Sequence, residues 1–252
     1  RFFCSFVDAL KKLRTIIRWV VWTIAGLYIT TIVLLHIPAV QTFLAQQVSD
    51  AAGNKLGTEV RVGRIDLGFI NRFVLDDILI YDQSHKKMLS ASRVGARVDL
   101  LHLLRTGEIN ISSAQVFGLQ AELYKKSKDS KPNYQFVLDS LASKDTTSHT
   151  PLHLSINSLV IRHGRIKYDC LDSPSTPNQL NLNHINLSDI SSYLILHKLN
   201  DTSVWVDLRT LSFKEAAGLE VKQLAFDLKA NQQQATLRDF VFNSTNSKIG
   251  LS

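Results

Sequence analysis

Cysteine is nearly absent from this chain of 252 residues, which has only Cys4 and Cys170. The two lie on opposite sides of a long hydrophobic segment, so they offer neither a disulfide framework nor a cysteine-based zinc site. Charged residues are also few, at 20% of the chain, whereas hydrophobic residues make up 45%. This balance excludes an intrinsically disordered chain and predicts a folded one.

A basic surface of the kind that binds nucleic acid is absent as well. The net charge is +7, but five cations and only one acid fall in residues 1–18, so little of the excess remains for the rest of the chain. A nucleic-acid-binding protein needs a basic stripe across its folded part to neutralise phosphates. We therefore expect no nucleic-acid partner.

One long uncharged run is present, WVVWTIAGLYITTIVLLHI at residues 19–37. A helix of this length spans roughly 28 Å, close to the hydrocarbon thickness of a bilayer. Lysine and arginine precede it and do not return until Lys55, so the positive-inside rule predicts that residues 1–18 form a cytoplasmic basic flank. We expect a retained single-pass signal anchor. A cleaved secretory signal is the alternative, but its apolar core usually has only about 7–15 residues.

Residues 38–57 predict an amphipathic helix, because their apolar residues recur near helical spacing and Gly57 is a natural terminator. The polar face of this helix is not rich in lysine and arginine, as that of an interfacial helix usually is. We therefore expect it to cap the following domain, which comprises residues 58–252. The alternating pattern continues to the end of the chain, and we expect the sequence to be the N-terminal part of a longer protein.

From Thr58 onward the hydrophobic period is two, and one pattern recurs six times. It has apolar residues at i and i+2, a polar pair, and apolar residues at i+5 and i+7. We call these four apolar residues a quartet. Residues three apart in a continuous strand point to opposite faces, so a common face requires a two-residue turn or a bulge at each polar pair. The unequal spacing of the repeats excludes propeller blades and favours an elongated stacked sheet with loop insertions.

We predict a mainly β fold in which these residues line one apolar face of a curved antiparallel sheet. The residues predicted to line that face and to contact lipid are Phe73, Leu75, Ile78, Ile80, Ile109, Ile111, Val116, Leu154, Ile156, Leu159, Ile161, Leu180, Leu182, Ile185, Leu187, Leu219, Val221, Leu224, Phe226, Leu237, Phe240 and Phe242.

Chemical motifs are weak throughout. Arg162-His163-Gly164 matches the tripeptide of histidine phosphatases, but it stands between two alternating segments and is more simply a turn. Asp76-Asp77 could be a metal or acid–base pair, although adjacent carboxylates point in different directions. The histidines show no metal-ligand spacing. We expect no catalytic residue, no metal and no cofactor, and hence no enzyme.

The segment VGARVDLLHLLRTGEINISSAQVFGLQAEL at residues 94–123 resembles the AsmA-like domain that opens proteins of the TamB family. It has an alternating strand, the leucine turn at residues 100–104, a glycine and a strand with the quartet pattern. The anchor, Lys55-Leu56-Gly57, and the Val62-Gly63-Arg64-Ile65 segment leading to Leu75-Asp76-Asp77-Ile78 are similar to the same family, of the Bacteroidetes type. The resemblance covers nearly the whole chain, and the order of the motifs carries its specificity.

This resemblance implies an inner-membrane protein whose bulk lies in the periplasm and whose apolar β groove carries phospholipid toward the outer membrane. It also implies an outer-membrane partner of the Omp85 family, bound through regions that this sequence does not contain. The alternative function is a scaffold or chaperone in a translocation and assembly module, which would bind unfolded outer-membrane strands by β-augmentation at an open sheet edge.

Overall fold

The computed structural model describes residues 2–68, 71–99, 102, 105, 110–142, 155–176, 179–200 and 203–251. The helices with both ends in these residues are α1 (Phe2–Leu35), α2 (Pro38–Leu56) and α3 (Gln135–Ala142). The strands are β1 (Val60–Leu67), β2 (Arg72–Tyr81), β3 (Lys87–Val98), β4 (Asn110–Phe117), β5 (Gln120–Lys125), β6 (Ser155–Ile156), β7 (Ser158–Cys170), β8 (His184–Asn200), β9 (Ser203–Glu215), β10 (Glu220–Asn231), β11 (Ala235–Ser244) and β12 (Lys248–Leu251). Of the predicted leucine turn at 100–104, only His102 lies in the described residues, and it is helical.

All twelve strands belong to one sheet, which confirms the prediction of a mainly β fold. Its order is β1-β2-β3-β4-β7-β8-β9-β10-β11-β12, with β5 pairing β3 and β7, and with β6 pairing β4. The alternating segments after Thr58 form these strands because their apolar residues fall on one side of the pleat and their polar residues on the other.

The prediction of a purely antiparallel sheet is wrong at one place. β4 pairs parallel with β6 and β7, and β5 pairs parallel with β7. A parallel pair needs a long crossover connection, and the chain between β5 and β6, which includes α3, supplies it. The sheet is therefore mixed.

Several strands contain a residue with left-handed backbone dihedrals. These residues are Asp77 in β2, His163 in β7, Asp189 in β8 and Asp239 in β11, with φ of 55°, 54°, 53° and 52°. Asp77 and Asp239 are each the second residue of a predicted polar pair, where the quartet pattern requires an interruption of the pleat. The prediction of a turn at Arg162-His163-Gly164 is wrong, because the left-handed His163 lets β7 continue through it.

Helix α2 lies against β1, at one edge of the sheet. The Ser49 hydroxyl oxygen accepts a hydrogen bond from the Val62 backbone N–H at 2.9 Å, and Ala45 is buried. The helix ends at Gly57, whose φ of 66° allows its N–H to reach the Gly53 carbonyl. An edge strand presents backbone groups without hydrogen-bond partners. Helix α2 supplies a partner for one of them, the Val62 N–H of β1.

Helix α1 contains a stretch of 22 residues, Arg14–Leu35, that is long and apolar enough to cross a membrane. None of this stretch is buried against the rest of the protein, and it is the single such helix found in the described residues. This confirms a candidate N-terminal membrane helix, which begins and ends slightly earlier than the uncharged run at 19–37.

Candidate functional site

One row of directly paired residues crosses ten strands of the sheet, and we call it the first apolar row. In order of the strands it contains Ile65, Leu75, Val94, Val116, Ile161, Ser192, Leu211, Leu224, Phe242 and Ile249. Direct partners on neighbouring strands project to the same face of a sheet. The row is therefore a continuous line of side chains, and Ser192 is its only polar member.

A second apolar row runs beside the first on the same face. It contains Phe73, Ala96, Ala114, Leu159, Leu194, Leu208 and Phe226. In most strands, the residue that belongs to the second row lies two positions from the residue that belongs to the first row. Residues two positions apart in a strand project to the same face. In β9 the separation is three, from Leu208 to Leu211, and the register there shifts.

A third apolar row crosses strands β1, β2, β3, β5, β7 and β8, at a different position along their length from the first two rows. It contains Val60, Ile80, Leu89, Ala121, Ile166 and Leu187. In β2 the first and third rows are separated by five residues, from Leu75 to Ile80, and the left-handed Asp77 stands between them. His163 and Asp189 occupy the corresponding positions in β7 and β8. Such residues interrupt the alternation of a strand, as a face shared by the first and third rows would require.

Most of the predicted lipid-facing residues lie in these strands and are half-buried. Val221 is buried, whereas Leu237 is half-exposed at 50%. Leu180 and Leu182 precede β8, and so lie outside the sheet, with 55% and 74% of their surfaces exposed. Ile109 and Leu154 fall outside the described residues.

The apolar rows have little cover. Within the described part of the chain, the one helix with extensive contacts to the sheet is α2, and those contacts are with β1. Ile65 and Val60, the β1 members of two rows, are accordingly buried, at 4% and 8% exposure. Farther from β1, Leu75, Ile161 and Leu224 are half-buried, whereas Ala114, Ala121 and Leu208 are buried without extensive contact from α2. The apolar surface is therefore accessible in part, at the half-buried members of the rows.

The opposite face of strands β1 to β7 is charged. Arg64, Asp76, Arg93, Phe117 and Arg162 are direct partners along it. Asp76 accepts hydrogen bonds from both Arg64 and Arg93 at 2.7 Å. The hydrogen bond from Arg93, followed by that from Arg64, holds the pKa of the Asp76 carboxyl below its usual value despite burial. In strands β1 to β7, charged side chains therefore lie opposite the first apolar row, together with the apolar Val74, Phe117 and Val160.

The residues of the weak motifs are engaged in other contacts. Asp76 is engaged by two arginines, and the His163 ring meets Phe117 edge-on with centroids 5.1 Å apart. In the described ranges there is no group of three or more His, Cys, Asp or Glu side chains placed to hold a metal ion. What the arrangement offers is apolar area, which binds a ligand by contact and without fixed geometry.

The quartet template missed several members of the rows. Val94, Leu194, Leu208 and Leu211 lie in them but belong to no quartet. Simple alternation in β3 and β8 could have found Val94 and Leu194, whereas the shifted register of β9 depends on strand pairing and leaves no local signal.

Comparisons with known proteins add no family: no protein-family model matches the sequence, and no curated protein matches it.

Proposed function

We propose that this chain is anchored in the inner membrane and carries phospholipid along the apolar face of its periplasmic sheet toward the outer membrane. The observation that carries the proposal is the first apolar row, in which directly paired apolar residues continue across ten strands with one polar exception. The resemblance of the sequence to the TamB and AsmA-like family supports the same conclusion.

The dimensions of the first apolar row suit an acyl chain. Neighbouring strands are about 4.8 Å apart, so nine steps between ten strands extend roughly 43 Å. One leaflet of a bilayer contributes only about half of a hydrocarbon core that is roughly 30 Å thick. A fatty chain could therefore lie within the row and move along it. Each methylene removed from water contributes about 0.8 kcal/mol, and a surface without fixed polar contacts lets the chain slide.

The proposed anchor supports this function, because it would hold the start of the sheet next to a lipid source. Helix α1 is followed after two residues by α2, and α2 lies against β1. In the proposed topology the basic flank is cytoplasmic, α1 crosses the inner membrane, and the sheet begins at its periplasmic side. The partner at the outer membrane would be an Omp85-family protein.

Photocrosslinking tests the proposal residue by residue. A photoreactive amino acid at Ile161 or Phe226, both in apolar rows, should capture labelled phospholipid in native membranes. The matched controls are the next residues on the other face, Arg162 and Ala225, which should not capture lipid. Equal labelling on both faces, or none at the row positions, would rule out lipid carriage along this face.

The same crosslinking experiment separates lipid carriage from the scaffold function. Mass spectrometry of the adducts at Ile161 and Phe226 identifies what occupies the apolar rows. Phospholipid adducts support the conduit, whereas adducts of outer-membrane protein segments would replace it with the scaffold. Ligands retained by the purified protein provide an independent reading of the same choice.

A further inference from the structure

Two loops meet at one end of the sheet. Strands β5 and β7 run parallel and finish side by side at the Lys125–Cys170 pair. Beyond that pair, the Leu171 N–H donates to the Lys125 carbonyl at 3.0 Å, and the Lys128 N–H donates to the Asp172 carboxylate at 3.3 Å. The segment that follows β5 and the segment that joins β7 to β8 therefore form one surface.

This surface combines exposed leucines with exposed lysines. Leu171, Leu180 and Leu182 are 61%, 55% and 74% exposed, so water surrounds most of each side chain. The neighbouring segment, residues 125–131, contains four lysines and one aspartate, and Lys126 and Lys131 are exposed within it. We call the described residues of 125–131 and 171–182 the loop surface.

Hydrogen bonds hold the leucine-bearing segment in place. The His184 ring bonds to the Ser173 carbonyl at 2.9 Å. The Asn181 side-chain amide donates to the Pro174 carbonyl at 3.1 Å and to the Thr176 hydroxyl at 3.0 Å. Because the segment is fixed in this way, the leucines remain exposed and do not fold back onto the sheet.

We propose that the loop surface docks onto the bilayer that holds α1, with its leucines in the interface and its lysines against anionic headgroups. Apolar side chains flanked by lysine are the composition of protein surfaces that lie on membranes. Lysines near an anionic bilayer are attracted to it, and a leucine that enters the interface loses its contact with water. The two kinds of side chain therefore favour the same partner.

The anchor makes a weak contact sufficient. Only His36 and Ile37 separate α1 from α2, so the start of α2 stays near the membrane. The loop surface lies at the end of the sheet where α2 ends, so docking requires α2 to lie along the bilayer. A tethered surface meets its partner at a high effective concentration, which raises occupancy without any new contact. The proposal rests on the anchor of the proposed function and does not depend on lipid carriage.

Fluorescence in nanodiscs tests the docking with the full chain. The background carries Cys4→Ser, and Cys170 is fully buried and so protected from labelling. An environment-sensitive dye is attached to Ser175→Cys within the loop surface, and in a matched protein to Gln232→Cys in the turn after β10. A third protein carries the dye at Leu27→Cys in α1. Nanodiscs contain phosphatidylcholine alone or with phosphatidylglycerol, together with a headgroup-region quencher lipid. For Leu27→Cys, near the middle of the apolar stretch, the quencher is instead carried on the acyl chain.

The expected result is strong quenching at residue 175 in anionic nanodiscs, weaker quenching in neutral ones, and little quenching at residue 232 in either. Reversing Lys126 or Lys131 to Glu should lower the ratio of docked to undocked protein roughly fivefold or more, because each lysine contributes about that factor near an anionic surface. The matched reversal Lys222→Glu, at an exposed site on β10, should leave the ratio unchanged. Replacing Leu180 and Leu182 together by serine should also reduce quenching.

Three outcomes overturn the proposal and are distinguishable. Quenching at residue 175 no stronger than at residue 232, with the dye at residue 27 quenched, rejects docking and leaves the anchor and the proposed function intact. If the dye at residue 27 is not quenched either, α1 does not enter the bilayer, and both proposals fail. Quenching at residue 175 that ignores the lysine reversals also rejects the charge-complementary contact.

Discussion

Val116 of β4 and Ile161 of β7 are direct partners in a parallel strand pair. This β4–β7 pair, together with the β5–β7 pair, joins the part of the sheet that contains β1 to β5 to the part that contains β7 to β12. The β4–β7 pair makes the first apolar row continuous, and without it that row would be divided into two shorter ones. The junction is therefore the most informative place to perturb.

Val116→Asp should destabilise the sheet by about 2–4 kcal/mol, because it places a carboxylate among half-buried apolar side chains without a partner. The measurement is the free energy of unfolding in detergent from denaturant titration. Gln115→Asp is the matched control: Gln115 is exposed on the other face, and its change should stay within about 0.5 kcal/mol. Equal losses for the two variants would contradict the assignment of faces.

Ser49→Ala should weaken the contact between α2 and β1. It removes the acceptor of the Val62 N–H, and an intramolecular hydrogen bond of this kind contributes about 1 kcal/mol. Hydrogen exchange at the Val62 amide should accelerate along with the loss of stability. Thr42→Ala removes a hydroxyl that bonds only within α2, to the Pro38 carbonyl, and should leave Val62 exchange unchanged. Unaltered exchange in Ser49→Ala would contradict the proposed role of the hydroxyl.

Asp76→Asn should cost about 1–2 kcal/mol at neutral pH, since the carboxylate bonds two arginines whose side chains are partly exposed. The pKa of Asp76 lies below its ordinary value of 3.8 in the folded protein. Its contribution is therefore complete above that value and is lost as the pH falls through the lowered folded pKa. Unfolding free energies measured against pH should show the variant and the parent converging in acid. The exposed Asp129→Asn serves as control and should follow the parent, whereas a pH-independent gap for Asp76→Asn would contradict this account.

The loop after β7 should loosen as the pH rises. Both ring nitrogens of His184 face oxygen acceptors, the Asp169 carboxylate at 3.1 Å and the Ser173 carbonyl at 2.9 Å, which only an imidazolium can satisfy as donor. The hydrogen bond to Asp169 and then that to Ser173 raise the pKa of His184 above 6.5. The stabilising contribution is fully present below 6.5 and is lost as the pH rises through the raised folded pKa.

Hydrogen exchange of residues 173–176, corrected for its intrinsic pH dependence, measures this loosening. Protection should decrease across the titration of His184 in the parent protein. In His184→Gln, which does not titrate, protection should be lower at acid pH and nearly constant through the same range. A parent protein whose protection does not change with pH would show that the ring is not an imidazolium.

Cys170→Ser should fold with a loss of only about 1 kcal/mol, because serine is of similar size and can still donate to Asp172 as the thiol does at 3.1 Å. Cys170 is a free cysteine and is fully buried. A thiol reagent should therefore react with it only after unfolding. Failure of the serine variant to fold, or rapid labelling of the native thiol, would point to a partner for Cys170 that the sequence does not reveal.

Local patterns predicted the elements better than their arrangement. Alternation identifies the strands because each strand has one apolar side and one polar side. The polar pair ending at Asp77 correctly marks a place where the alternation of β2 is interrupted, although the strand itself continues. The turn predicted at Arg162-His163-Gly164 does not form, and β7 continues through a left-handed His163. The sequence could not distinguish the two cases, because the same polar residues suit a turn and a bulge equally. Leu180 and Leu182 fit the quartet template, but they remain outside the sheet because β8 begins only at His184.

The parallel junction could not be predicted from the sequence. The pairing of Val116 with Ile161 depends on which strands meet after the chain passes through α3, and nothing in either strand encodes that choice locally. For the candidate site, the composition of the apolar face follows from alternation. The continuity of that face across strands depends on the register of each strand pair. The register shifts between β8, β9 and β10 arise from long-range pairing, which the local sequence does not show.

The order of strands has a consequence for how the protein is made. From β8 to β12 each strand pairs with the one before it in the chain, so a newly emerged strand finds its neighbour already in place. Short connections between such neighbours lose little entropy on closure, which favours rapid folding. A chain delivered from its N-terminus can thus assemble this part vectorially, by adding one strand at a time to a single growing edge. In the described sheet, the parallel junction of β4 and β5 with β6 and β7 must wait for a longer crossover, which makes it the step most exposed to misassembly.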